Sequence, residues 1–127
     1  MARMTITGNL VRDPELKFTT NGKAVCEVTI ADNYKANKDA EGQVSFVDVT
    51  LWGTLAENFS NSMKKGQRVF AEGRVQQQSW EKDEVKHTKL KVVADSAGPD
   101  LRFNVVTVQV GNVASPNIPR AFVDEPF

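Results

Sequence analysis

The sequence is short of the residues that carry out chemistry. Its 127 residues include one cysteine (Cys26), one histidine (His87) and one tyrosine (Tyr34). A single cysteine excludes an intrachain disulfide framework, and with one distant histidine it excludes a Cys/His zinc site within the chain. The same two residues are a poor basis for a nucleophile–base pair. Asp48 and Glu72 are the best-placed acids, yet the sequence sets no second acid, base or ligand group beside them. An enzyme, a metal site and a cofactor are therefore all unexpected. No apolar run reaches the ~20 residues of a membrane span. The opening Met-Ala-Arg-Met-Thr lacks an export signal's apolar segment, so a cytoplasmic protein is expected. An excess of either charge is lacking too, with 16 Lys and Arg against 16 Asp and Glu. That balance excludes a nonspecific polycation but leaves local patches open.

What the chain does have is alternation. Its length suits one domain, which hides roughly two-thirds of the surface of the unfolded chain. Met4, Ile6, Gly8 and Leu10 alternate with polar residues. Leu16 and Phe18 lead into Asn21-Gly22, a strong hairpin signal, and Cys26, Val28 and Ile30 share one face of a strand over 24–31. Residues 32–43 are polar and without period, as in an exposed loop. A strand follows over 44–52. One helix comes next, with Thr54 as N-cap, Glu57 completing a capping box, and Leu55, Phe59 and Met63 as its buried stripe. Lys64-Lys65-Gly66 closes that helix. Strands are expected over 67–80, 85–93 (with Gly98-Pro99 as a break) and 101–110. Residues 111–127 are small, polar and proline-bearing, and read as a flexible tail.

Strands with one helix before the fourth main strand give the expected fold: all-β, a five-stranded OB-fold barrel with one short helix, an extra C-terminal strand and a flexible tail. A five-stranded Greek-key sandwich is the alternative, and the mid-chain helix favours the barrel. Residues 1–110 form the expected domain, with 111–127 as the tail.

Strand parity then separates core from surface. Val47, Val49 and Leu51 make a core face, while Phe46, Asp48, Thr50 and Trp52 lie on the other. At ~3.3 Å per residue the two rings stand about 20 Å apart. The next strand repeats the pattern, with Val69, Ala71, Gly73 and Val75 inward and Phe70, Glu72, Arg74, Gln76, Gln78 and Trp80 outward. Rings interleaved with an arginine and glutamines suit a ligand that stacks flat polar rings and offers their edges. Single-stranded nucleic acid is such a ligand. Duplex readers use a basic helix in a groove, and the one helix here spends its face on the core. Tyr34, in a polar loop, is a further stacking candidate. Arg3, Lys35, Lys65 and Arg74 are candidates for phosphate contacts, within a wider set that includes Lys23, Lys38, Arg68, Lys82, Lys86 and Lys89. The competing reading, supported by the zero net charge and the glutamines, is an OB-fold protein–protein interaction module. His87 reads as a surface or interface imidazole, and Cys26 as a buried structural thiol.

The segments GNLVRDPELKFTTNGKAV, VTIADN and FVDVTLWGTLAENFSNSMKKGQRVFAEGRVQQQSW, with the final Pro-Phe, resemble the bacterial single-stranded DNA-binding protein family. The resemblance implies an OB barrel, usually a homotetramer, that wraps single-stranded DNA around aromatic platforms. It sets Phe46 where the family usually has tryptophan, Trp52 where it usually has phenylalanine, Trp80 on the family's tryptophan, and Tyr34 near its loop tryptophan. Where the family's long strand tends to alternate basic residues, this one has Gln76, Gln77, Gln78 and Ser79. Residues 101–110 resemble a strand that in one branch clamps subunits together. Asp124, Glu125, Pro126 and Phe127 resemble the tip through which the family recruits replication, recombination and repair proteins.

Overall fold

Alternation becomes strand along most of the chain in the computed structural model, which describes residues 1–34 and 42–110. β1 (Arg3–Leu10), β2 (Glu15–Phe18), β3 (Ala24–Tyr34) and β4 (Gln43–Trp52) precede a single helix, α1 (Gly53–Ser62). β5 (Arg68–Lys82) and β6 (Val85–Pro99) follow it. β1 pairs with both β5 and β3, so β1, β3, β4, β6 and β5 close into a ring, with β2 added on the edge of β3. Every pairing is antiparallel except β4 with β6, which are parallel over three registers. That ring, with the helix between its third and fourth strands, is an OB fold.

The inward positions are those the alternation marked. Ile6, Leu10, Cys26, Val28, Ile30, Val49, Leu51, Val69, Ala71 and Val92 fill the barrel. Ala56 and Phe59 of α1 join them with Met63, and the helix packs chiefly against β3. Burial pushes the Cys26 thiol above its usual range, which keeps it protonated. Two glycines allow the strands to approach. A Cβ on Gly8 would strike the Ala31 carbonyl where β1 crosses onto β3. A Cβ on Gly73 would strike the Val93 carbonyl and lie 2.8 Å from the Ala94 Cα, beside a bulge that leaves Asp95 without a partner on β5.

The β2–β3 hairpin turns at Asn21-Gly22 as expected, with Gly22 at φ +81. The Thr19 carbonyl accepts from the Gly22 N–H at 2.8 Å, and the Thr19 N–H donates to the Lys23 carbonyl at 2.9 Å. At the far end of β5, Asp83 and Glu84 both take positive φ, 53° and 65°, so a two-residue turn joins β5 to β6. The outer halves of this pair, from Gln77 to Lys82 and Val85 to Leu90, are exposed and form an arm beyond the core.

Five expectations are corrected. β3 runs on through Tyr34, so the polar loop starts later than residue 32. Thr54 does not cap α1: the chain turns the corner at Gly53 (φ +66), the N-cap position falls on Trp52, and no side chain caps the helix. Gly66, at φ +86, serves a turn in which the Gln67 N–H donates to the Lys64 carbonyl, whereas the helix itself ends at Ser62 with Met63 as its C-cap. β6 does not break at Gly98-Pro99 but pairs through both, because Gly98 lies against the Phe70 ring and Pro99 takes the final register opposite Val69.

The last correction is the extra C-terminal strand. Leu101–Phe103 make a turn and 104–110 have no regular structure. The ring is already closed without this segment, no strand of the described residues pairs with it, and Val105 stands 99% exposed. Residues 111–127, including Asp124, Glu125, Pro126 and Phe127, and residues 35–41, including Lys35 and Lys38, lie outside the described residues.

Candidate functional site

Strand pairing sets side chains of the outer face in rows. One row runs Thr29, Asp48, Lys91, Gln76 across β3, β4, β6 and β5. The next runs Glu27, Thr50, Val93, Arg74 and, on β1, Arg3. Beyond the first row on the arm, Gln78 stands opposite Lys89 and Trp80 opposite His87. Phe46 lies opposite Ala31, and Trp52, at the other end of β4, opposite Val25.

Three large rings on this face are open to solvent: Phe46 is 65%, Trp80 45% and Trp52 38% exposed. Apolar rings cost free energy in water, so three on one face mark a surface that meets a partner. Each tryptophan has one neighbour that shapes it. The Lys23 ammonium lies 4.9 Å from the Trp52 ring centroid, a cation–π contact. The His87 ring stacks on Trp80, with centroids 5.5 Å apart and planes 19° from parallel.

Charge on the face is arranged around Asp48. Burial raises its pKa, but hydrogen bonds from Lys89 and Thr29 and the charges of Lys89 and Arg12 more than offset that, so the carboxyl stays below its usual range. The Thr29 hydroxyl donates to Asp48 Oδ1 at 2.8 Å, and Lys89 Nζ pairs with Oδ2. The Val11 N–H donates to the Thr29 carbonyl at 3.1 Å, which lays the chain leaving β1 against β3 and brings in Arg12. Arg12, Glu27, Thr29, Asp48, Thr50, Gln78 and Lys91 line a shallow concavity of about 120 Å³. Its polar walls and small volume suit a phosphate or a base edge rather than an enclosed small molecule.

The residues expected from sequence fall into three groups. Phe46, Trp52, Trp80, Arg74, Gln76 and Gln78 share the outer face of β4 and β5. Arg3 adjoins it but is engaged elsewhere: its guanidinium donates to Glu72 Oε1 at 2.6 and 2.9 Å and to Asp95 Oδ2 at 2.7 Å. Those bonds raise its pKa further. Lys65 stands apart, in the turn after α1, at the opposite end of β5 from Trp80. Its backbone N–H donates to Asp13 Oδ1 at 2.7 Å. Tyr34 ends β3, opposite Gln43.

The family profile for the single-strand binding proteins matches residues 1–102. The chain belongs to this family. A protein of Corynebacterium glutamicum named single-stranded DNA-binding protein is 40% identical over 112 residues, 84% of this chain and 50% of the relative. Relatives of the same name are 38% identical over 106 residues in Paenarthrobacter aurescens (79% of this chain, 62% of the relative) and 37% over 111 in Mycobacterium bovis (83% and 68%). The chain thus spans half to about two-thirds of the length of these curated relatives.

For a member of this family, the glutamines of β5 take on a different meaning once pairing is known. Gln76 and Gln78 face Lys91 and Lys89 across the arm, so the cations missing from β5 stand one strand over on β6. Arg12, Lys91 and His87 are the residues that sequence reasoning did not place at the site. Arg12 lies at a break between strands. Lys91 and His87 gain their meaning only from the β5–β6 register, for which the two-residue Asp83-Glu84 turn was the available signal.

Proposed function

We propose that the chain binds single-stranded DNA with little regard to sequence and protects it during replication, recombination and repair. The observation that carries this reading is the sharing of one outer barrel face by Phe46, Trp52 and Trp80 with Arg12, Arg74, Lys89 and Lys91. Splayed bases stack on such rings while cations follow the backbone, and Gln76 and Gln78 offer amides to base edges. Tyr34, Lys35, Arg3 and Lys65 extend the proposed path at its margins. The names of the chain's relatives, single-stranded DNA-binding proteins, support the same ligand. Titration with oligo-dT tests it: Trp52 and Trp80 fluorescence is quenched, and the affinity falls with salt at a slope near −0.7 per neutralised phosphate. Absence of quenching at low salt, or equal binding of duplex, overturns the reading in favour of a protein–protein module.

The protein acts as a homotetramer in this proposal. Support comes from Leu101, Phe103, Val105 and Val108, apolar side chains left exposed by a barrel whose ring is complete, a surface that a second copy covers. Sedimentation at micromolar concentration tests this, and a 14.0 kDa species defeats it. Asp124, Glu125, Pro126 and Phe127 form the proposed contact for replication, recombination and repair proteins, the ring anchoring and the acids steering. Deleting the four leaves oligo-dT affinity intact and abolishes capture of such proteins. Among the described residues no helix is long and apolar enough to cross a membrane, and the proposed setting is the cytoplasm, on DNA.

A further inference from the structure

We propose that His87 is itself a base-stacking residue, and that it and Trp80 form one two-ring platform receiving two nucleobases. The inference rests on the reading of this face as a single-stranded DNA surface and adds a residue which that reading does not require.

The observation is the stack: two rings on paired positions of β5 and β6, centroids 5.5 Å apart and planes within 19° of parallel. Both side chains are exposed, and they lie on the arm, where no core packing holds them together. Antiparallel register sets both on the same side of the hairpin, the side that carries Gln78 and Lys89 one step inward. A tryptophan standing alone offers two faces to bases. Here the imidazole covers one of them, so the column presents the free face of the indole at one end and the free face of the imidazole at the other. A strand passing over the arm can therefore set one base on each end, with the two protein rings held between them as surrogate bases. The phosphates flanking the column meet Lys82, two residues beyond Trp80, and Lys89, two residues beyond His87, which share this face by strand alternation. His87 thus stands among cations and amides, with Glu81 and Lys86 paired on the reverse side of the hairpin.

The arrangement makes the two rings interdependent. Removing the imidazole takes away one stacking surface and also unpacks the indole from its support. Removing the indole leaves the imidazole without its neighbour. Their effects on binding should not add.

The test is a double-mutant cycle on the full chain with a short oligo-dT, comparing wild type, His87→Ala, Trp80→Ala and both together. The probe's own fluorescence is the readout, so that loss of Trp80 does not blind the assay. His87→Ala weakens binding about 5- to 20-fold, His87→Phe keeps most of the affinity, and the double variant falls short of the product of the single losses. Oligonucleotides carrying 5-iododeoxyuridine photo-crosslink to the His87 peptide in wild type. Thr88→Ala, on the reverse side of β6, changes nothing. The platform is overturned if wild type and Trp80→Ala differ while His87→Ala binds as wild type does, or if the two losses multiply fully. His87→Phe as weak as His87→Ala overturns stacking as the role of the ring. Failure of wild type to bind oligo-dT at all is a different outcome, which sinks the single-stranded DNA reading itself.

Discussion

Lys89 on β6 is ion-paired with Asp48 on β4, although the backbone register sets Lys91, two residues further on, opposite that aspartate. The diagonal pairing divides the two lysines. Lys89 is held back by a carboxylate, while Lys91 is free to line the concavity with Arg12.

On the proposed DNA surface, the central Asp48 restrains its neighbouring cation Lys89. Asp48→Asn keeps a carbonyl for the Thr29 hydroxyl and removes the charge. It is expected to raise oligo-dT affinity about two- to fivefold, the scale of a half-exposed ion pair, and to steepen the salt dependence. A loss of affinity would mean instead that Asp48 positions Lys89 for binding.

The same carboxylate gives a pH signature. Its folded pKa lies below the ordinary aspartate value of about 3.9. A depressed value stabilises the fold above the unfolded pKa, and that contribution disappears as pH falls through the folded one. The difference in urea midpoint between wild type and Asp48→Asn should therefore be constant from neutral pH down to about 5 and shift progressively below about 4. Asp100, lowered by its hydrogen bond from Arg68 at 2.6 Å, follows the same sign.

Lys91→Gln tests the relocated cations. It is expected to weaken oligo-dT binding at low salt and to reduce the log–log salt slope by about 0.7, one phosphate's worth. Gln76→Lys in that background should restore the slope, because the two positions are cross-strand partners. An unchanged slope in Lys91→Gln would remove Lys91 from the path.

Gly73→Ala is expected to destabilise the barrel by about 2–3 kcal/mol, because the added methyl meets the backbone of β6 at the bulge and backbone cannot swing aside. Gly22→Ala, in a turn with positive φ and open space around it, costs about 1 kcal/mol through conformation alone. Chemical denaturation separates the two, and equal midpoints would refute the close-approach argument.

The barrel was legible because period two is a local property: each of Ile6, Val28, Val49 and Val69 shows its direction through its own neighbours. Phe46, Trp52 and Trp80 were legible for the same reason, since parity alone lifts them off the core. The missed features depend on what lies across the chain. Whether Gln76 faces a lysine is decided by the register of β5 with β6. The capping pattern at Thr54 and Glu57 was present in sequence, but Gly53 turned the corner one residue earlier. Residues 101–110 show how alternation can mislead, since it marks a face to be covered without saying whether this chain covers it.

The parallel seam of Asp48–Thr50 with Lys91–Val93 joins segments about forty residues apart in sequence through only three registers. The β3–β4 and β5–β6 ladders each join neighbours in sequence and are far longer. The two ladders close short loops, whereas the seam, like the β1–β5 pairing, closes a longer one at a greater cost in loop entropy. Without the seam the row Thr29, Asp48, Lys91, Gln76 is cut in half and the proposed ligand surface is not assembled. Single-stranded DNA bound across β4 and β6 as proposed is expected to work as a latch that slows reopening, so that amide exchange at Val49 and Val92 reports occupancy from the inner side of the barrel wall.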